Sequence, residues 1–181
     1  MTTALKEWSA AVHALLDGRQ TVLLRKGGIG EKRFAVAAEE FLLFPTVAHS
    51  HAERVRPEHR ELLAAAAPDS TDEQVVVRAA AKVVGAVEVN RVDGLADIED
   101  LHIWTAESVR ADRLDFRPRH RLTVLVVQAT ALAAPIRLTR EPQYGGCTSW
   151  VQLPATAELG EPVHDAAALA AVAARVRAAV G

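Results

Sequence analysis

The sequence predicts an α+β fold: a curved mixed or antiparallel sheet, or a small β-barrel, flanked by N- and C-terminal helices. Three observations carry that expectation. Runs of β-branched and apolar residues crowd the middle of the 181-residue chain, and helical periodicity is strongest at its two ends. The strands also fail to alternate regularly with helices, as a parallel doubly wound sheet would require.

The elements follow in order. Leu5, Trp8, Val12, Leu15 and Leu16 fall on one helical face, so 3–16 is read as a helix with Thr3 as N-cap and Gly18 as its stop. Residues 21–24 are β-branched or apolar throughout and read as a short strand. Residues 31–40 leave helix and loop both open, and 41–44 form a second strand ended by Pro45. Segment 51–67 has helical composition, with Pro57 where a first turn could begin and Pro68 closing it. Segment 74–89 is too rich in valine for a comfortable helix and reads as one long strand, or two bent near Gly85. A short strand around 102–104 precedes a helical turn from Thr105. Residues 122–127 give the clearest strand, with shorter ones at 136–138 and 148–153. Asp165 caps a closing helix whose face is Leu169, Val172, Val176 and Val180. The whole of 1–181 reads as a single domain, with helix 165–180 packed on the sheet.

Composition excludes several classes. Half the residues are hydrophobic, 24% are charged and the formal net charge is −2, against wholesale disorder and a generally polycationic binder. One cysteine, Cys147, allows neither an intrachain disulfide nor a multi-thiolate zinc site. No apolar run spans a bilayer, and 1–16 carries Lys6, Glu7 and His13 where a secretory signal would be unbroken. A cytoplasmic protein without membrane attachment is expected.

Four local features carry chemistry. The loop Arg25-Lys26-Gly27-Gly28-Ile29-Gly30 offers glycine backbone N–H groups and two cations to an anion such as phosphate. It is neither a P-loop nor a dinucleotide fingerprint, and it reads equally as a tight turn with solvated cations. Basic residues concentrate in 19–33 and 110–121, separated by the acidic 69–107. If they share a face they form a track for a phosphate backbone. His49 and His51, one residue apart, would point to one side of an extended chain as metal ligands or a general acid/base. His102, Glu53 or Asp100 would have to complete a metal site, and no metal or other cofactor is expected. In Tyr144-Gly145-Gly146-Cys147-Thr148-Ser149-Trp150, the rings could stack on a base and Ser149 could bond a base edge. Cys147 could instead be a nucleophile assisted by His49 or His102, or the segment could simply feed a strand.

Taken together, Ala4-Leu5-Lys6-Glu7-Trp8, then Leu23-Leu24-Arg25-Lys26-Gly27-Gly28-Ile29, then Phe41-Leu42-Leu43-Phe44-Pro45-Thr46 with His49, and Tyr144 to Trp150, resemble the bacterial family catalogued as domain of unknown function 1802. Ser50 and His51 follow His49 where the family tends to place a glutamine. The resemblance implies a supporting role in restriction or DNA handling, because relatives are joined to a restriction-endonuclease-like domain, and hence a nuclease-type effector as partner. More loosely, the order of elements is similar to the PUA and ASCH group of RNA-binding folds.

These readings favour a nucleic-acid- or nucleotide-binding accessory module, contacting RNA or DNA through Arg25, Lys26, Gly27, Gly28, His49, Tyr144, Gly145, Gly146, Ser149 and Trp150. A metal- or cysteine-dependent enzyme using His49, His51 and Cys147, and a protein-interaction module, are the alternatives. No lysine has an acidic residue two positions before it, and no Gly-x-Ser-x-Gly elbow is present, so an enzyme is the less favoured reading.

Overall fold

A computed structural model describes residues 1–27 and 32–181. Its strands are β1 (Thr2–Trp8), β2 (Val22–Lys26), β3 (Glu40–Thr46), β4 (Gln74–Glu88), β5 (Leu122–Thr139), β6 (Trp150–Leu153) and β7 (Leu159–Pro162). They form one curved, unclosed sheet in the order β2-β5-β4-β3-β1-β6, with β7 added to β5. Among the described residues only β1 and β3 pair in parallel, so the sheet is mixed and the α+β expectation holds. The helices are α1 (Ser9–Leu16), α2 (His51–Arg54), α3 (Leu62–Ala66), α4 (Ala106–Val109) and α5 (Ala166–Val180).

Several elements differ from the sequence reading for identifiable reasons. The first half of the expected helix 3–16 is strand β1. Ala4 and Leu5 are both fully buried, in different apolar clusters, because β1 is covered on both faces. Such a strand shows no polar alternation to set against the spacing of three and four. Gly18 does end α1, in the left-handed region at φ 81°, with its N–H donating to Leu15. Pro45 lies inside β3 instead of ending it. It pairs only with Glu7 of β1, since β4 contacts β3 no further than Leu42, so the missing N–H breaks no ladder.

The expected helix 51–67 breaks into α2, a 3₁₀ turn at Pro57–His59, α3 and a second 3₁₀ turn at Ala67–Asp69. Val55 leaves the helix to bridge Trp104. The strands 122–127 and 136–138 are one continuous β5, whose register against β4 shifts beside Gly85. A ten-residue 3₁₀ segment, Val92–Leu101, was not foreseen. It runs so close to α5 that a Cβ on Gly94 would lie 1.8 Å from the Ala179 carbonyl oxygen. The closing helix forms as read, with Asp165 accepting from the Ala168 N–H at 2.7 Å. Its buried face is Leu169, Ala173, Val176 and Val180, packed with Val87 and Val124 of β4 and β5.

The gap in the sheet is bridged by side chains. Arg25, near the end of β2, reaches across to β1, donating from Nη1 to the Lys6 carbonyl at 3.0 Å and to Glu7 Oε2 at 3.3 Å. Glu7 is only 4% exposed, and the Arg25 side chain 13%. The other carboxylate oxygen of Glu7 accepts from the Trp8 N–H at 2.8 Å. The Arg25 guanidinium lies 5.2 Å over the Phe34 ring, which stacks on Trp150 of β6 with centroids 5.8 Å apart. A buried pair of this kind is costly to halve, because the remaining charge keeps its desolvation penalty without its partner.

Glu7→Ala and Arg25→Ala should therefore each lower urea stability by on the order of 3 kcal/mol, and the double variant by clearly less than their sum. Losses below about 0.5 kcal/mol for both single variants would contradict the bridge.

Candidate functional site

Strand alternation sends Arg25 and Lys26 to opposite faces of β2. Arg25 enters the seam with Glu7. Lys26 passes the other way, and its Nζ donates to the carbonyls of Arg113, at 2.6 Å, and Phe116. These are among the last carbonyls of a π-helical turn, Arg110–Asp115, that continues α4, so Lys26 caps a helical C-terminus. Burial, with Arg113 and Arg117 nearby, holds the Lys26 ammonium below its ordinary pKa. Arg113 returns the contact, donating from Nε to the Leu24 carbonyl at 3.1 Å. Gly27 contributes its carbonyl, which accepts from His120 Nδ1 at 3.0 Å. Gly28, the next member of the expected phosphate cradle, lies outside the described residues.

One consequence could not be read in the sequence: the two basic stretches meet. The Arg121 N–H donates to the Lys32 carbonyl at 2.6 Å, beside the contacts from His120 to Gly27 and from Lys26 to Phe116. Lys32, Arg33, Arg119 and Arg121 are exposed along this junction. Arg117, whose backbone is left-handed at φ 49°, stacks its guanidinium 4.9 Å over Phe116, a ring that is 57% exposed. Glu88 pairs with both Arg121, at 2.9 Å, and Arg33, at 3.7 Å. Phe116 was missed by sequence reading. Its signal was a lone ring amid arginines.

The two rings that end the Tyr144 to Trp150 segment pack on the protein, while Gly145 to Thr148 between them are exposed. Tyr144 is 2% exposed and lies against Phe44. Half-buried Trp150 packs on Phe34 and Phe41 and donates its indole N–H to the Ala35 carbonyl at 3.0 Å. The carbonyls of Gly145 and Gly146 accept from Lys6 Nζ at 3.1 and 3.2 Å, and the Ser149 carbonyl accepts from the Lys6 N–H at 2.8 Å. The structure thus brings Arg25 and Trp150 together through Phe34, as interior packing. It places Tyr144 in a separate apolar cluster and His49 on the surface beside α3.

His49 and His51 differ in burial, because α2 begins between them, and both border one pocket beside α3. His51 turns inward at 5% exposure, its ring 4.1 Å from Trp8 and 6.4 Å from Trp104. Its Nε2 has no hydrogen-bond partner among the described residues. Arg54 lies 5.0 Å over Trp8 and donates from Nε to Asp112 at 2.7 Å. With Arg113 and Trp104 these groups line a cleft that has room for about one water molecule, too small for a base. His102, 3% exposed, accepts the Trp104 N–H on Nδ1 at 3.1 Å. Asp100 pairs with Arg175 at 2.6 Å. Among the described residues no three His, Cys, Asp or Glu side chains lie together as a metal site would need. Cys147 is exposed and makes no hydrogen bond to either histidine among those residues.

Burial lowers the pKa of both His51 and His102 to about 4, and a nearby arginine, Arg54 or Arg56, pushes each the same way. Both are neutral at pH 7. The unfolded chain takes up these protons first on acidification, so their contribution is complete above about pH 6.5 and is lost as pH falls toward 4. Urea stability should drop between pH 7.5 and pH 5 by about 2 kcal/mol for each histidine. An unchanged stability over that window would contradict neutral burial.

A search of the curated proteins finds no significant match to this sequence. Among solved structures, the crystal structure of ASCH from Zymomonas mobilis is similar over 70% of this chain, at 14% identity and a TM-score of 0.41. This chain spans 66% of that one, just under two thirds of its length. Two point variants of the same Zymomonas mobilis protein are 16% and 17% identical over 74% of this chain and 72% and 73% of theirs, each with a TM-score of 0.43. The family model named Domain of unknown function (DUF1802) matches residues 4–175, from β1 into α5. With nearly its whole length matched, the chain belongs to the DUF1802 family.

Proposed function

We propose that the protein binds single-stranded nucleic acid along the surface where Lys32 and Arg33 meet Phe116 to Arg121. The observation that supports this most is the junction itself. Backbone and side-chain hydrogen bonds hold Lys32 beside Arg121 and Gly27 beside His120, so cations distant in sequence become neighbours. Lys32 and Arg119 have no carboxylate partner among the described residues and are free to meet phosphates. Phe116, with the Arg117 guanidinium over it, offers a ring for stacking at the same place. A backbone track with a stacking platform suits an unpaired strand, whose bases are open to a ring.

The reading shifts the contact away from the motif that first suggested it. Arg25 and Lys26 are already bonded within the protein, to Glu7 and to helical carbonyls, and the rings of Tyr144 and Trp150 are packed. Their role is to hold the two loops in register.

The test is fluorescence anisotropy with a short labelled oligouridylate across a salt series. Lys32→Glu with Arg119→Glu should weaken binding at least tenfold at low salt and flatten the slope of log affinity against log salt by about 1.4, two phosphate contacts at roughly 0.7 each. Phe116→Ala should cost about tenfold through lost stacking. Unchanged affinity and slope in the charge-reversed variant would refute the proposal.

A further inference from the structure

The cleft lined by Trp8, Leu24, Arg54, Trp104, Asp112 and Arg113 has room for about one water molecule. We propose that it holds one halide-sized anion, chloride in ordinary salt solutions, as the counter-ion of Arg113. The site does not rest on the nucleic-acid reading.

The charges around the cleft do not cancel. Arg25 is paired with Glu7, and Arg54 Nε donates to Asp112 at 2.7 Å, which neutralises the carboxylate in the lining. Arg113 forms no salt bridge among the described residues. Its bonds go to the carbonyls of Leu24, at 3.1 Å, and Asp112, at 3.5 Å, and a carbonyl brings no formal charge to set against a guanidinium. Lys26, bonded to carbonyls as well, adds to the positive field nearby. Burial holds the Arg113 pKa below its ordinary value, with Arg25 and Arg54 pushing the same way and Glu7 and Asp112 opposing. An arginine nonetheless keeps its proton in proteins. The cost of the uncompensated charge therefore falls on the fold unless an anion enters.

Two groups are left to receive that anion. Arg54 Nη2 and Arg113 Nη2 make no hydrogen bond among the described residues, and neither is sealed from solvent. Phosphate and sulfate are too large for the space of one water, whereas chloride is a single sphere only slightly larger than water. Bound there, it would tie α2, through Arg54, to the π-helical turn, through Arg113.

Bromide substitutes for chloride and scatters anomalously. Crystals of the full chain soaked in sodium bromide should show an anomalous peak within hydrogen-bonding distance of Arg113 Nη2, a measurement that needs no variant to fold. In solution, thermal unfolding at fixed ionic strength, with sodium gluconate replaced stepwise by sodium chloride, should give a saturable rise in Tm, about 4 °C by roughly ten times the chloride Kd. Sodium sulfate should give no saturable rise. Arg113→Gln keeps a donor near the Leu24 carbonyl and removes the charge, so the chloride response should vanish. Arg110→Gln, at an exposed cation outside the cleft lining, should retain it. An empty cleft in the bromide crystals, or a chloride response that survives Arg113→Gln, would overturn the proposal. A bromide peak without a chloride-specific rise in Tm would mark an adventitious ion only, and would overturn it equally.

Discussion

The arrangement of this protein depends on the buried pair between Glu7 and Arg25. Among the described residues the sheet does not close on itself by hydrogen-bonded strands, and β2 pairs with β5 alone. Arg25 fills that position with its guanidinium, bonded to both the carboxylate and a backbone carbonyl of β1. A charged group survives at such low exposure only because each partner meets the other's desolvation cost with directed hydrogen bonds. From the guanidinium the contact continues through Phe34 to Trp150, so one residue ties β2, β1 and β6 together.

Alternation along β2 then decides the fate of its neighbour. With Arg25 committed to the seam, Lys26 must leave by the opposite face, where the carbonyls ending the π-helical turn are in need of donors. That contact, with the return bond from Arg113 to Leu24 and the bond from His120 to Gly27, fixes 110–121 against the end of β2. The exposed cations of the junction are therefore products of buried ones. Arg25 and Lys26 spend their donors inside the protein, and Lys32, Arg33, Arg119 and Arg121 are left facing solvent around Phe116.

Much of the fold was legible where local physics acts alone. The Asp165 cap, the α5 face, the Gly18 stop and the valine-rich β4 all follow from short-range patterns. Strand β1 was not, because its two faces are covered by different parts of the chain and its residues show no alternation. Pro45 misled for a similar reason: whether a proline ends a strand depends on which neighbour is paired at that height, and sequence does not give that. At the candidate site, the residues singled out differ in their surroundings: His49, Gly145 and Gly146 are exposed, while Arg25, Lys26, Tyr144 and Trp150 have partners within the protein. Sequence shows that Arg25, Lys26, Tyr144 and Trp150 are chemically capable, but not that carbonyls, Glu7 and other rings already occupy them. The meeting of 19–33 with 110–121 was open in the sequence, which carried the charge and not the topology.

The central claim is that the familiar motif is scaffold and the binding surface lies beside it. Hydrogen exchange read by mass spectrometry, with and without a saturating single-stranded oligonucleotide, tests it most directly. Peptides covering Lys32, Arg33 and Phe116 to Arg121 should be protected, while those covering Tyr144 to Trp150 should exchange at the same rate in both samples. Protection confined to the Tyr144 to Trp150 segment, with none at Phe116 to Arg121, would contradict the claim.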